Sequence, residues 1–236
     1  MARAGKKYRQ ARQQVERSQL YPLPEAVEKV KELAFAGFDE TVEFIVALDI
    51  DPKKSDQMVR GTVSLPHGTG KKVRVLAFCP PDRVEDALAA GADYAGCGDL
   101  VEKIKGGWLD FDSAVAEKSV MREISSLGKV LGPRGLMPSP KAGTVTEDLD
   151  RTIRELKAGQ IEIKTNKGGA IQVAVGKVSF AAEQLAENIR CVMDEIIRLR
   201  PAAVKGRYVK RSFICSTMSP ALGLEIGTLS RGVTAG

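Results

Sequence analysis

The stretch GKVLGPRGLMPSPKAGTV, from Gly128 to Val145, limits what this chain can fold into more than any other. Its three prolines and four glycines predict neither a helix nor a central strand, because proline lacks a backbone donor and glycine loses most freedom on ordering. Lys129, Arg134 and Lys141 lie within it, and no acidic residue does. A segment this stiff and basic either grips a phosphate or spaces two parts of a protein. The sequence on either side decides which.

Ahead of it, KKVRVLAF reads as a short strand, PDRVEDALAAGAD as a short helix closed by Gly91, DLVEKIKGG as another helix and DSAVA as a strand. Strands alternating with short helices predict a small α/β unit on a parallel sheet. The outer segments are built differently. PEAVEKVKELAFAG puts Pro24 at a helix start, repeats Val27, Val30 and Ala34, and ends at Gly37. Val42, Phe44, Val46, Leu48 and Ile50 then alternate with Glu43, Ile45, Ala47 and Asp49, which predicts a strand with one buried face. Beyond Val145, EDLDRTIRELKAG is a helix capped by Gly159, and the turn TNKGG joins strand patterns at Ile161 and Ile163 and at Ile171, Val173 and Val175. Leu185, Ile189, Val192, Ile196 and Leu199 stripe a long helix, and RYVKRSFICST is a strand. The glycine-rich tail after Pro220, ALGLEIGTLSRGVTAG, is assigned no element.

The outer segments share helices with alternating strands, so they are expected to form one α+β domain with helices packed on a mainly antiparallel sheet. That domain comprises residues 1–65 with 159–236, split by an inserted α/β domain at 66–158. Its connections, around Leu65–Gly70 and Ala158–Gln160, lie close together and predict a hinge at Pro66, His67, Ala158 and Gly159. Hydrophobic residues make up 43% of 236, enough for a core in each domain.

Net charge is +6, and its distribution says more than its sum. From Pro66 to Ala158 there are 14 basic and 14 acidic residues, so the whole excess belongs to the two ends. No acidic residue occurs from Ile196 to Leu224, where Arg198, Arg200, Lys205, Arg207, Lys210 and Arg211 lie. The N-terminal arm adds Arg3, Lys6, Lys7, Arg9, Arg12 and Arg17. Two such clusters on one domain point to a polyanionic partner, because uncompensated like charge repels itself.

Cys79, Cys97, Cys191 and Cys215 show no CxxC spacing, which excludes a zinc ribbon or a small disulfide framework and predicts reduced, buried thiols in the cytosol. No stretch is long and apolar enough to span a bilayer, and no membrane partner is expected.

Catalytic patterns fall short. HGTGKK lacks the phosphate loop's first glycine at Leu65 and its hydroxyl residue at Lys72, and GCGDLV has Val101 in place of the last glycine of a dinucleotide fingerprint. His67, the one histidine, follows Pro66 as a turn residue with no ligand cluster beside it. Asp110 and Asp112 read as a solvated pair flanking a buried Phe111, and no nucleophile has an activating neighbour. No catalytic residue, metal or cofactor is expected.

Two stretches have the parts of an RNA reader. AGFDETVEF sets Phe38 before Thr41 and Glu43, and STMSP supplies Thr217, Met218 and Ser219. Structured RNA is recognised through shape, 2′-hydroxyls and stacking, for which hydroxyls, a carboxylate and a flat ring are suited. The alternative is that Phe38 caps a helix in the core and STMSP simply ends a strand.

FDETVE, IDPKKSDQMVRGTVSLPHGTGK, GPRGLMPSPKAGTV, KAGQIEIKTNKGGAI and STMSP, in this order, resemble the bacterial ribosomal protein L-one family, the stalk proteins of the large subunit. The likeness runs from Tyr8 to about Pro220. It implies a split first domain and an inserted Rossmann-like second domain, flexibly joined. It further implies binding to large-subunit ribosomal RNA as a monomer within the ribosome, a mobile stalk beside the exit site that aids release of deacylated transfer RNA, and repression of translation from the protein's own messenger RNA. The RNA surface it implies comprises Phe38, Thr41, Glu43, Lys167, Thr217, Met218 and Ser219, with Lys6, Lys7 and Arg9 on phosphates. The expected location is a cytoplasmic ribosome, with an organellar one as the alternative. Gly37 stands where many relatives have a basic residue, removing a phosphate contact, and Ser219 stands where they usually have glycine, putting a side chain where backbone approaches RNA.

The Gly128–Val145 stretch, in the charge-neutral insert, is then chiefly a stiff connector that leaves Arg134 and Lys141 free to touch nucleic acid. The competing reading is a small α/β enzyme or nucleotide-binding regulator whose basic domain localises it to RNA.

Overall fold

The alternation that begins at Thr41 becomes the strand that organises one half of the protein. The computed structural model describes residues 5–16, 18–54, 56–204 and 206–229. Arg3, Arg17, Lys205, the Lys141 side chain and the end of the tail lie outside that description. In chain order come α1 (Lys6–Gln13), β1 (Leu20–Tyr21), α2 (Leu23–Leu33), β2 (Thr41–Leu48) and β3 (Arg60–Ser64). Then follow β4 (Val75–Phe78), α3 (Val84–Ala89), β5 (Tyr94–Gly96), α4 (Gly98–Lys105) and β6 (Ser113–Glu117). After these are α5 (Met121–Ile124), α6 (Gly128–Leu131), β7 (Val145–Thr146) and α7 (Leu149–Ala158). The chain closes with β8 (Gln160–Lys164), β9 (Ala170–Lys177), α8 (Ala182–Arg198), β10 (Val209–Ser216) and β11 (Leu222–Leu224).

These elements separate into two units. One holds the chain up to Gly70 and from Glu162 onward; the other is Lys71–Ile161. The first division falls at Gly70 rather than Leu65 because α8 holds the intervening turn. Buried Asn188 accepts from His67 N at 3.2 Å and donates to Gly68 O at 3.0 Å and Val175 O at 2.7 Å. The His67 ring lies 2.6 Å from Glu187 Oε2. Pro66 and His67 therefore belong with α8. Ala158 ends α7, and Gly159 adopts φ +107° to close that helix.

In the outer unit the sheet order is β1-β11-β10-β2-β9, with β1 parallel to β11 and the remaining pairs antiparallel. Val42, Phe44, Val46 and Leu48 are buried while Thr41, Glu43, Ile45 and Ala47 are half-exposed, as a period of two requires. Against the buried face pack α2, through Leu23, Ala26, Val27 and Val30, and α8, through Leu185, Ile189, Val192 and Ile196. A mixed sheet covered by helices on one face leaves the other to solvent.

Several expectations need correction here. Helix α2 stops at Leu33, not Gly37, because Phe35 N and Ala36 N donate to the Glu40 carboxylate instead of continuing the helix. The TNKGG turn forms, with Asn166 Oδ1 accepting from Gly168 N and Ala170 N and Gly169 at φ +76°, but its two strands part company. Strand β8 pairs with β3, while β9 joins β2. The tail is not without structure: β11 inserts between β1 and β10, and Leu222, Leu224 and Leu229 are buried. Of the four free cysteines only Cys79 is fully buried, the other three being half-exposed.

The middle unit carries a wholly parallel sheet of order β5-β4-β6-β7. All four residues of β4 are buried, as expected where both faces are covered. Leu76 and Phe78 pack with Leu100, Ile104, Ile124, Leu127 and Leu131 on one side; Val75 and Ala77 pack with Ala87, Leu149, Ile153 and Leu156 on the other. Trp108 meets the Tyr94 ring edge-on at 4.8 Å. The Gly128–Val145 stretch starts with a helical turn, contrary to its composition. The first proline, Pro133, limits that helix to one turn without preventing it, and Leu131 then enters the core with Leu136 and Met137 against it. Gly135 and Gly143 take φ of +71° and +66°, and the Thr144 hydroxyl accepts from Ser139 N at 2.9 Å.

Asp110 and Asp112 are not merely solvated either. Asp112 takes Lys71 Nζ at 2.6 Å and Arg74 Nε at 3.1 Å, and Arg74 also reaches Asp110. The bond from Lys71 leads in holding the Asp112 carboxyl down at about 2. Phe111 between them is buried.

Candidate nucleic-acid interface

Strand ends create the site. β2 starts at Thr41, β9 ends beside it at Lys177, and β10 ends at Ser216 opposite Val42. The loops Phe35–Glu40 and Thr217–Pro220 therefore emerge side by side from one end of the sheet. Thr41 N donates to Thr217 Oγ1 at 3.0 Å, and Lys177 Nζ donates to Thr41 Oγ1 at 2.8 Å. Asp39 braces the first loop by accepting from Ser179 N at 3.1 Å and Ser179 Oγ at 2.8 Å.

Between the loops lies Glu40, 1% exposed. Its Oε1 accepts from Phe35 N at 3.0 Å and Ala36 N at 2.8 Å. Its Oε2 accepts from Ser216 Oγ at 2.6 Å and Met218 N at 2.9 Å. Burial pushes its pKa up, but the bonds from Ser216, Ala36, Met218 and Phe35 together outweigh burial and hold it below the usual value. The carboxylate is thus charged and fully used.

Over this anchor two large apolar side chains face solvent: Phe38 is 59% and Met218 49% exposed. Phe38 does not cap a helix in the core. Ser219 N donates to Ser216 O at 3.3 Å, and the Ser219 hydroxyl accepts from Ser216 N at 2.9 Å and donates to Pro220 O at 3.3 Å. Its side chain thus belongs to the loop's own bonding. At Gly37 an added Cβ would meet nothing within 4 Å, so a longer side chain has room there.

Glu43 lies on the half-exposed face of β2 and accepts from Gln172 Nε2 at 2.5 Å. Cys215 is its cross-strand neighbour, with a thiol pushed up to about 11 by burial and then by Glu43. Lys167 is elsewhere. Its turn precedes β9, whose first residue pairs with Ala47, so Lys167 lies at the opposite end of β2 from Thr41. Eight residues of strand separate the two ends by roughly 23 Å. The second basic cluster is also at that far end, since Val209 pairs with Leu48. Part of it is engaged: Arg198 pairs with Glu195, Lys210 lies 3.7 Å from Asp49, Arg200 donates to Val204 O and Gly206 O, and Arg207 donates to Val209 O. A cleft of about 430 Å³ there is lined by Leu20, Phe213 and Ile226 with Arg207, Lys210 and Arg211 around them.

Lys6, Lys7 and Arg9 are exposed along α1 and, like Lys167, make no ion pair among the described residues. Two groups are thus placed on the sheet, a hydroxyl, aromatic and thioether end and a cationic far end, and the exposed arm adds a third set of cations. Phe38, Thr41, Thr217, Met218 and Ser219 come together, and Lys167 is separate from them.

Sequence reasoning missed Glu40 and Lys177. The signal for Glu40 was present, because it falls in phase with the buried positions 42, 44, 46 and 48. A carboxylate on the core stripe must find donors. Lys177 gave no such sign, since a lysine ending a strand is ordinary.

No group of three or more His, Cys, Asp or Glu among the described residues is placed to hold a metal, and no helix among them is long and apolar enough to cross a membrane.

Residues 30–220 match the family model described as the ribosomal protein L1p/L10e family. The chain is 48% identical over 225 residues to the large ribosomal subunit protein uL1 of Kosmotoga olearia, covering 95% of this chain and 97% of that one. It is 50% identical over 226 residues to the protein of the same name from Protochlamydia amoebophila, covering 96% of each. It is also 50% identical over 220 residues to that from Thermobifida fusca, covering 93% of this chain and 94% of that one. With one family model spanning most of its length and such relatives over nearly all of it, the chain belongs to the ribosomal protein L1p/L10e family, whose members are parts of ribosomes and not enzymes.

Proposed function

We propose that this chain, a structural constituent of the large ribosomal subunit, binds large-subunit ribosomal RNA through the outer unit. The outer unit acts as a split α+β RNA-binding domain, and the middle one as an inserted Rossmann-like domain joined to it by a hinge at the two crossings next to the expected Pro66–His67 and Ala158–Gly159, near Gly70 and Ile161. Together they form the mobile stalk beside the exit site. The insert swings to help deacylated transfer RNA leave, and the same RNA-reading end binds the protein's own messenger RNA and represses its translation.

One observation carries the reading. Thr41 and Thr217, 176 residues apart in sequence, are hydrogen-bonded to each other beneath exposed Phe38 and Met218. Large apolar groups exposed above a rigid, hydroxyl-bearing platform suit stacking on unpaired bases and contact with ribose 2′-hydroxyls. Lys6, Lys7 and Arg9, with Lys167 from the far end of the sheet, then supply phosphate contacts along the RNA, and Glu43 an acceptor.

Gel-shift titration of the full chain against fragments of large-subunit RNA, at several salt concentrations, tests this. One fragment is expected to bind far more tightly than a random duplex of equal length, with an affinity that falls steeply as salt rises. Equal affinity for every fragment would sink the proposal.

A further inference from the structure

We infer that Glu40 is the positioning residue of the RNA-reading end: a carboxylate that never touches RNA but sets the distance and angle between the two loops that do. The inference rests on the RNA-binding reading above. Its ground is a division of labour between the two oxygens. Oε1 accepts only from the first loop, through Phe35 N and Ala36 N, and Oε2 only from the second, through Ser216 Oγ and Met218 N. Met218 is the residue whose side chain stands exposed, so its backbone is fixed by a group whose other half fixes the approach to Phe38. At 1% exposure the carboxylate has no surface to offer a ligand. Four donors around one charged acceptor make a rigid clamp, because each bond to the carboxylate is stronger than a neutral one.

A glutamine cannot replace it. Its amide has one acceptor oxygen and one NH2, so in one orientation Phe35 N and Ala36 N face a donor and in the other Met218 N does, even if the Ser216 hydroxyl turns to accept. An aspartate is one methylene too short to serve both loops.

The test compares full-length wild type with Glu40→Gln, Ser216→Ala and Ser212→Ala, against a large-subunit RNA fragment and a random duplex of equal length. Glu40→Gln is expected to weaken fragment binding about tenfold or more, and Ser216→Ala severalfold. Duplex binding and the salt slope should stay unchanged, since no phosphate contact is lost. Ser212→Ala removes a buried bond to Leu224 O away from both loops, and controls for stability loss by leaving fragment affinity unaltered. Combined with Met218→Ala, Glu40→Gln should add less than its separate effect, because a mispositioned Met218 has little left to lose. Additive losses, or equal losses on fragment and duplex, overturn the assignment. Wild type binding both RNAs equally overturns the RNA reading instead. Amide hydrogen exchange at Phe35, Ala36 and Met218 then decides the clamp: faster exchange in Glu40→Gln upholds it, and unchanged exchange refutes it.

Discussion

In the middle unit Lys71 and Arg74 meet Asp112, Arg83 meets Glu117, Lys118 meets Glu147, Arg151 meets Glu155 and Lys157 meets Asp93, whereas in the outer unit Lys6, Lys7, Arg9 and Lys167 meet no carboxylate among the described residues. The sheets differ in the same sense. The parallel sheet is covered on both faces by helices, and six cations of its unit pair with carboxylates, while Lys72, Lys103, Lys105, Arg122, Lys129, Arg134 and Arg154 pair with none among the described residues. The mixed sheet is covered on one face only, and although Arg60, Arg198 and Lys210 of its unit have carboxylate neighbours, the cations of the two outer segments outnumber their carboxylates, whereas those of the middle segment balance. Charge left unsatisfied beside an open face is charge available to a partner, while charge paired around a closed core serves the fold.

The largest effect should come from the closed core. Ile104→Ala, a fully buried residue of the middle unit, is expected to lower stability by about 2–5 kcal/mol in urea unfolding. RNA affinity should be untouched, and a parallel loss of affinity would break the contrast between the units. Next comes the reading end. Thr217→Ala or Met218→Ala should cost about 1–3 kcal/mol of binding to large-subunit RNA while non-specific duplex binding stays as it was. Equal losses on both would move these residues from reading shape to gripping backbone.

A smaller effect concerns pH. Asp112 titrates at about 2 in the folded protein, below its ordinary 3.8, so the stability it contributes is complete above about pH 4 and disappears as pH falls through about 2. Asp112→Asn should lower stability at neutral pH by about 1 kcal/mol at most, because Lys71 and Arg74 are 61% and 44% exposed and water screens both pairs. It should also flatten the acid limb, and wild-type and variant curves that stay parallel down to pH 2 would contradict this. Smallest are single cations. Lys7→Ala or Lys167→Ala should each reduce the slope of log affinity against log salt by roughly 0.7–0.9. Lys118→Ala, taken from a paired lysine of the middle unit, should leave that slope unchanged, and a change there would blur the comparison.

Much of the fold was legible from contiguous residues. The alternation at 42–48, the stripe of Leu185, Ile189, Val192 and Ile196, and the closing glycines Gly91 and Gly159 all act as read, since each is a property of neighbours along the chain. Composition misled where a short helix tolerates glycine at its start, as at Gly128–Leu131, and where leucines in a glycine-rich tail find a strand to join, as at Leu222 and Leu224. At the site, residue types were legible and proximity was not. Phe38, Thr41 and Met218 could be chosen by chemistry, but nothing local placed Lys167 at the opposite end of the same strand.

The sequence by itself determined most of the longer helices and strands, where charge is in surplus and to which family the chain belongs, because periodicity, composition and motif order are written in adjacent residues. Only the tertiary structure decided that β8 and β9 go to different sheets, that the tail supplies a strand, and that one buried carboxylate joins two loops 176 residues apart. Strand partners and buried hydrogen bonds are chosen by the free energy of the whole packed unit, and that choice has no local trace.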